Sequence, residues 1–191
     1  MTVRRPAAFL DRDGVINIDH GYVYRWEDFV FVPGAVDAMR RLQAEGYALV
    51  VVTNQSGIAR GFYSEADFQM LSARLREYLL SEGVVLEAIE FCPHLPGASV
   101  AAYACDCDCR KPAPGMLLRA AAQLGLNLSA SLLFGDRPSD LQAARAAGVG
   151  HYVLLATDGV GEPAELIGEL AGAPCYRSLS EAVSALLPPM A

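Results

Sequence analysis

Ala7-Ala8-Phe9-Leu10-Asp11-Arg12-Asp13-Gly14 joins four apolar residues to two carboxylates and a glycine. An unbroken apolar run of this length suits a strand buried on both faces, as central strands of parallel sheets are. Asp11 ends the run, and Gly14 lets the chain turn sharply after the acidic pair. Strand-like runs then alternate with helical patterns. Val36, Met39 and Leu42 have helical spacing in a segment over Val36–Glu45 that stops at Gly46. Ala48–Val52 reads as a second strand. Ser64 can cap a helix to about Ser81, with Asp67 at the capping-box position. Leu86–Phe91, Ser131–Phe134 and Tyr152–Leu155 read as further strands, and Pro114–Leu124 and Ser139–Ala147 as helices. From Gly161 the pattern reads as one or two peripheral helices closing in a Pro-rich tail.

This alternation predicts an α/β fold over residues 1–191: a three-layer, Rossmann-like domain with a mainly parallel sheet and no large cap domain. Ligands in such sheets bind beyond the carboxyl ends of the strands. The polar residues after three strands, Asp11–Gly14, Thr53–Ser56 and Gly135–Arg137, are therefore expected on one rim. Residues 18–33 are long enough to form a lid over it.

Of the 191 residues, 53% are apolar and 19% charged, which suits a globular chain. A net charge of −7 argues against broad nucleic-acid binding, because phosphate backbones attract basic surfaces. An anionic small substrate would then need a local cluster of cations. The apolar run behind Met1–Pro6 is cut by Asp11, so no signal-peptide core forms. Runs such as Ala48–Val52 are too short to span a bilayer. A cytoplasmic monomer without nucleic-acid or membrane partners is expected.

Paired carboxylates at a strand end can supply a nucleophile, Asp11, and a proton donor that later activates water, Asp13. A helix-loop-helix calcium site would need more acidic residues and a preceding helix; Val15 and the strand do not fit. Thr53 offers a hydroxyl, and the turn through Asn54, Gln55, Ser56 and Gly57 offers backbone N–H groups, for phosphoryl oxygens. Asn54, Gln55 and Ser56 count as candidate substrate contacts, although such a turn taken separately is more often just a helix cap. Lys111 can neutralise nucleophile and phosphoryl group, and Arg110 can fork onto a second phosphate or a sugar hydroxyl. Asp136, at another strand end, makes with Asp11 an oxygen-rich seat for Mg2+. Asp140 orients the site or caps the next helix.

Taken in order, these motifs resemble the haloacid-dehalogenase superfamily of phosphohydrolases across roughly residues 7–150. The resemblance implies Asp11 as nucleophile, Asp13 as general acid/base, Thr53 and Lys111 as phosphoryl stabilisers, and Asp136 as metal ligand. It also implies a magnesium contact from the Asp13 backbone carbonyl. The second aspartate counts against dehalogenation.

Four of five cysteines fall between Cys92 and Cys109, spacing that suits a metal better than a disulfide framework. Cys92, His94, Cys107 and Cys109 form the ligand set of a closed, structural Zn2+ site that would pin the loop over 92–109 and aim Arg110 and Lys111. A competing register uses Cys105 and Cys107. Cys175 reads as a small buried apolar residue. With this loop, Asp19-His20-Gly21-Tyr22, the run Val50–Gly61 and Cys107–Pro112, the chain is similar to the bacterial D-glycero-D-manno-heptose 1,7-bisphosphate phosphatases, relatives of the histidinol-phosphate phosphatases. That likeness implies loss of the C7 phosphate in heptose-nucleotide and lipopolysaccharide biosynthesis. It also implies substrate contacts from Asp19, His20, Gly21, Tyr22 and Arg110. Arg137, another candidate substrate contact, stands where relatives often carry lysine. Histidinol phosphate is the rival substrate, although its branch tends to have a shorter zinc loop. A non-catalytic, zinc-stabilised module is the rival of another class, and the complete set of motifs argues against it.

Overall fold

The structure, a computed structural model, describes residues 4–156, 170 and 172–187. Six strands, β1 (Ala7–Leu10), β2 (Ala48–Asn54), β3 (Leu86–Cys92), β4 (Leu132–Gly135), β5 (His151–Leu155) and β6 (Cys175–Tyr176), form one sheet. Its order is β3-β2-β1-β4-β5-β6, and every pairing is parallel.

Side chains alternate across a strand, and here the alternation builds two cores. Ala8, Leu10, Leu49, Val51, Leu132 and Phe134 face one side. There they meet α1 (Ala35–Ala44), α3 (Glu65–Ser81) and α6 (Leu179–Leu186) through residues such as Met39, Leu75 and Val183. Ala7, Phe9, Val50, Val52 and Leu133 face the other, against Met116 and Leu117 of α4 (Gly115–Leu124) and Leu141 of α5 (Pro138–Ala147). The expected three layers result. Full burial of each large apolar side chain stabilises the fold by roughly 1.5–3 kcal/mol. Among the described residues no separate cap domain is present.

Local signals behave as the sequence implies. Ser64 and Asp67 form a reciprocal capping box at α3, and Gly125 and Gly148 end α4 and α5 in the left-handed region. Three expectations need correction. Thr53 and Asn54 do not follow β2 but belong to it, because pairing with Phe91 and Cys92 extends the ladder. The C-terminal region contains an edge strand, β6, before α6; residues 161–169 and the tail over 188–191, read as helix and Pro-rich tail, lie outside the described residues. Cys175 is half-buried on that edge strand instead of enclosed. A short helix, α2 (Ser56–Ala59), also follows β2 unannounced.

Neighbours lie on both sides of β1 (β2 and β4), so the strand order reverses there, and the crevice at such a reversal is where α/β sheets bind ligands. Residues 18–33 are anchored beside it. Val23, Phe29 and Val32 are buried, Ile18 N–H donates to Val30, and Trp26, Phe29, Phe31 and Tyr78 form an aromatic cluster.

Candidate active site

A cleft of about 620 Å³ opens at the carboxyl ends of β1, β2 and β4. Asp11, Asp13, Thr53, Lys111 and Asp136 line it together with Asp140. Asp19, Gly21, Tyr22, Asn54, Gln55, Ser56, Arg110 and Arg137 also line it, as do Arg60, Tyr63 and Ser139, which the sequence did not single out. His20 is exposed and is not among the lining residues.

Lys111 is almost fully buried. Its ammonium lies 3.1 Å from Asp11 Oδ1 and 2.6 Å from Asp140 Oδ1 and donates to the Val52 carbonyl at 2.8 Å. Burial works against this charge, yet Asp11 and Asp140 hold its pKa above the usual lysine range. Asn54 clamps the same residue, donating to the Lys111 carbonyl and accepting from its N–H, both at 3.1 Å. Asn54 thus positions Lys111 while also lining the cleft, where it was expected.

Donor atoms of Asp11, Asp136 and Asp140 lie within 4.8 Å of one another. Burial pushes Asp11 up to about 7 despite Lys111, with Asp140 and Asp13 adding repulsion. Burial, then Asp11 and Asp140, push Asp136 up to about 8. Asp140 is already committed, to Lys111 and to the Arg137 N–H at 3.0 Å, so it both orients the lysine and caps α5. Asp136 Oδ1 is buried and has no hydrogen-bond partner among the described residues. An orphaned carboxylate oxygen beside a second crowded carboxylate fits a hard divalent cation, seated on Asp11 and Asp136. Gly14 makes room for it: its φ is +80°, and a Cβ there would meet Asp136 Oδ2 at 2.5 Å.

The carboxylate of Asp13 stands outside this group. It accepts from Arg12 at 2.9 and 3.0 Å, from Asn17 at 3.0 Å and from Gln55 at 3.1 Å. The side chain of Asp13 therefore lies outside the candidate cation seat. Gln55, expected on substrate, is buried, and its amide is held by Asp13, Thr53 and Tyr63.

Behind the cleft, Cys92, His94, Cys107 and Cys109 come together. The sulfurs are 3.1–3.5 Å apart, and His94 Nδ1 lies 3.4 Å from Cys109 and 3.8 Å from Cys92. Five such edges, with all four donors within 4.8 Å of one another, suit the tetrahedral coordination Zn2+ takes with such donors. Burial and the neighbouring thiols push Cys92 far above its ordinary range, so the thiolates need a cation to coexist. Cys105 is exposed and outside the cluster, which decides the register for Cys107 and Cys109. Arg110 next to the cluster donates to the His94 carbonyl at 3.1 Å.

The family model of haloacid dehalogenase-like hydrolases matches residues 3–148, and the chain belongs to that family. A D-glycero-beta-D-manno-heptose-1,7-bisphosphate 7-phosphatase of Yersinia pestis is 47% identical over 186 residues, 97% of each chain. Its counterpart in Escherichia coli K12 is 53% identical over 152 residues, 80% of each. The D,D-heptose 1,7-bisphosphate phosphatase of B. bronchiseptica, solved with magnesium and phosphate, superposes with a TM-score of 0.81 at 33% identity. The match covers 95% of this chain and 98% of that one. Within the hydrolases, the chain belongs with these heptose-bisphosphate phosphatases.

Proposed function

We propose that the chain removes the C7 phosphate of D-glycero-D-manno-heptose 1,7-bisphosphate, in the supply of activated heptose for lipopolysaccharide. The carrying observation is that one cleft joins the Asp11–Asp136 carboxylate pair and Lys111 to three guanidinium groups, Arg60, Arg110 and Arg137. In a chain of net charge −7, such a concentration of cations suits a substrate with two phosphates. Asp19, Gly21, Tyr22 and Ser56 contribute the remaining contacts to the sugar end.

Asp11 attacks phosphorus while Asp13 gives its proton to the departing C7 oxygen, leaving phosphate on the Asp11 carboxylate. Asp13, now ionised, takes a proton from water; the hydroxyl oxygen attacks phosphorus, and inorganic phosphate leaves with the Asp11 carboxylate restored. Lys111 and the Thr53 hydroxyl offset charge on the phosphoryl oxygens throughout. Mg2+, held by Asp11, Asp136 and the Asp13 carbonyl, would supply further positive charge at the phosphoryl oxygens. Zn2+ on Cys92, His94, Cys107 and Cys109 would be structural, since four protein donors close its coordination. Thiolate ligands require a reducing compartment, which supports the cytoplasm.

Side-by-side kinetics on the heptose bisphosphate and histidinol phosphate test the substrate. A kcat/KM higher for the bisphosphate is expected; the reverse order would overturn this reading.

Proton competition gives a second expected result. With Asp11 at about 7 and Asp136 at about 8, the folded metal-free protein retains protons that the unfolded chain has lost. Its stability should therefore fall as pH rises from about 4 to about 8. Mg2+ must displace the same protons, so its affinity should tighten over about pH 6–8 and level off above. Calorimetry in buffers of different ionisation enthalpy would count the protons released. Affinity independent of pH over this range would contradict the assignment.

A further inference from the structure

We infer that Gln55 and Tyr63 are positioning residues that set the hydrogen-bond polarity of the site, leaving the proton of the Thr53 hydroxyl free to be donated into the cleft. The inference rests on the phosphatase reading and adds to it two residues that need not touch substrate.

Three contacts define the arrangement. Gln55 Nε2 donates to Asp13 Oδ2 at 3.1 Å and to Thr53 Oγ1 at 2.8 Å, and Tyr63 Oη donates to Gln55 Oε1 at 2.6 Å. Gln55, Thr53 and Tyr63 are all buried, so each polar atom needs its partner. In the ionised state, from which it takes a proton from water, Asp13 only accepts, so the edge of the amide facing it is then the NH2 group. The carbonyl of Gln55 then faces Tyr63, whose phenol has to donate. The second N–H of the amide occupies Thr53 Oγ1 as an acceptor. The proton of the Thr53 hydroxyl is left for the cleft that Thr53 lines, where phosphoryl oxygens accept. Flipping the amide would set oxygen against oxygen at Asp13, and the Tyr63 bond opposes that flip. Stacking of Tyr63 on Tyr24, with centroids 5.0 Å apart and planes 8° from parallel, fixes the phenol in turn. One side chain thus orients both the proton-transferring carboxylate and a phosphoryl donor.

Gln55→Glu reverses the polarity with little change of shape, and Tyr63→Phe removes only the bond that holds the amide. Turnover would be measured on the heptose bisphosphate and on a simple aryl phosphate, with melting curves for every variant. Gln55→Glu is expected to lower kcat by about 10²-fold or more and Tyr63→Phe by about 10-fold, with KM within about 3-fold, on both esters. The double variant should lose no more than Gln55→Glu alone, because both act through one amide. A raised KM with kcat kept would mean that Gln55 binds substrate, and independent multiplying losses would mean that no shared amide is involved. Either result overturns the inference and leaves the phosphatase reading standing. If Gln55→Glu fails to fold, Tyr63→Phe decides by the same split between kcat and KM. A wild-type protein inert on both esters would overturn the reading and the inference together.

Discussion

Asp11→Asn is expected to lower kcat by about 10⁴-fold or more, while the metal-free variant melts no lower than metal-free wild type at pH 8. The amide keeps the shape of the carboxylate but cannot bond covalently to phosphorus as the carboxylate does. Stability is predicted to hold because the wild-type charge is costly where it sits. Its pKa near 7 reflects burial and the crowding of neighbouring carboxylates. The neutral amide relieves that repulsion, and Lys111 loses a partner at 3.1 Å but keeps Asp140 and the Val52 carbonyl. Single-turnover kinetics and thermal melts, each with and without Mg2+, check both halves. Substantial turnover by the variant would exclude an aspartyl-phosphate route.

Stripping the Zn2+ proposed for the cysteine cluster should be nearly as damaging, for a different reason. Four donors within 4.8 Å of one another cannot stay together as thiolates and imidazole without a cation between them. The cluster also lies next in sequence to Lys111: Cys109 is buried, Arg110 reaches back to His94, and the Gly115 N–H at the start of α4 donates to Asp108 at 2.8 Å. Structural zinc contributes several kcal/mol to folding, and in a chain of this size 1 kcal/mol moves Tm by about 2–4 °C. A fall in Tm of about 10 °C and a loss of kcat of about 10-fold or more are expected on chelation. Cys109→Ser should behave similarly, whereas Cys105→Ser should change neither, since that thiol is exposed and outside the cluster. An unchanged melting curve with metal verifiably removed would contradict a structural site.

The two aspartates of the first strand end, the lysine after the cysteine loop and the aspartate after β4 were legible as a site because each sits at an element boundary that local pattern reveals. The side-chain partners of Asn54 and Gln55 were not legible, for the opposite reason. A polar residue after an apolar run looks available for ligand, and nothing local says that Asn54 will meet Lys111, 57 residues on, or that Gln55 will meet Asp13, 42 residues back. Tyr63 carried no signal, since a tyrosine in a loop is more often a packing residue. The edge strand β6 was missed because two residues, Cys175–Tyr176, are too few for any periodicity to show.

By itself, the order of apolar runs and helical patterns determined the layers, the parallel sheet and the rim on which the site would lie, because burial of alternating or helical faces is encoded within a few residues. Only the tertiary structure decided which carboxylates meet. Asp140 joins Asp11 and Asp136 around Lys111, Asp13 turns to Arg12 and Gln55, and Cys107 pairs with Cys109 in place of Cys105. Those choices depend on strand order and on hydrogen bonds between distant segments, whose geometry exists only once β2 and β4 are laid on either side of β1.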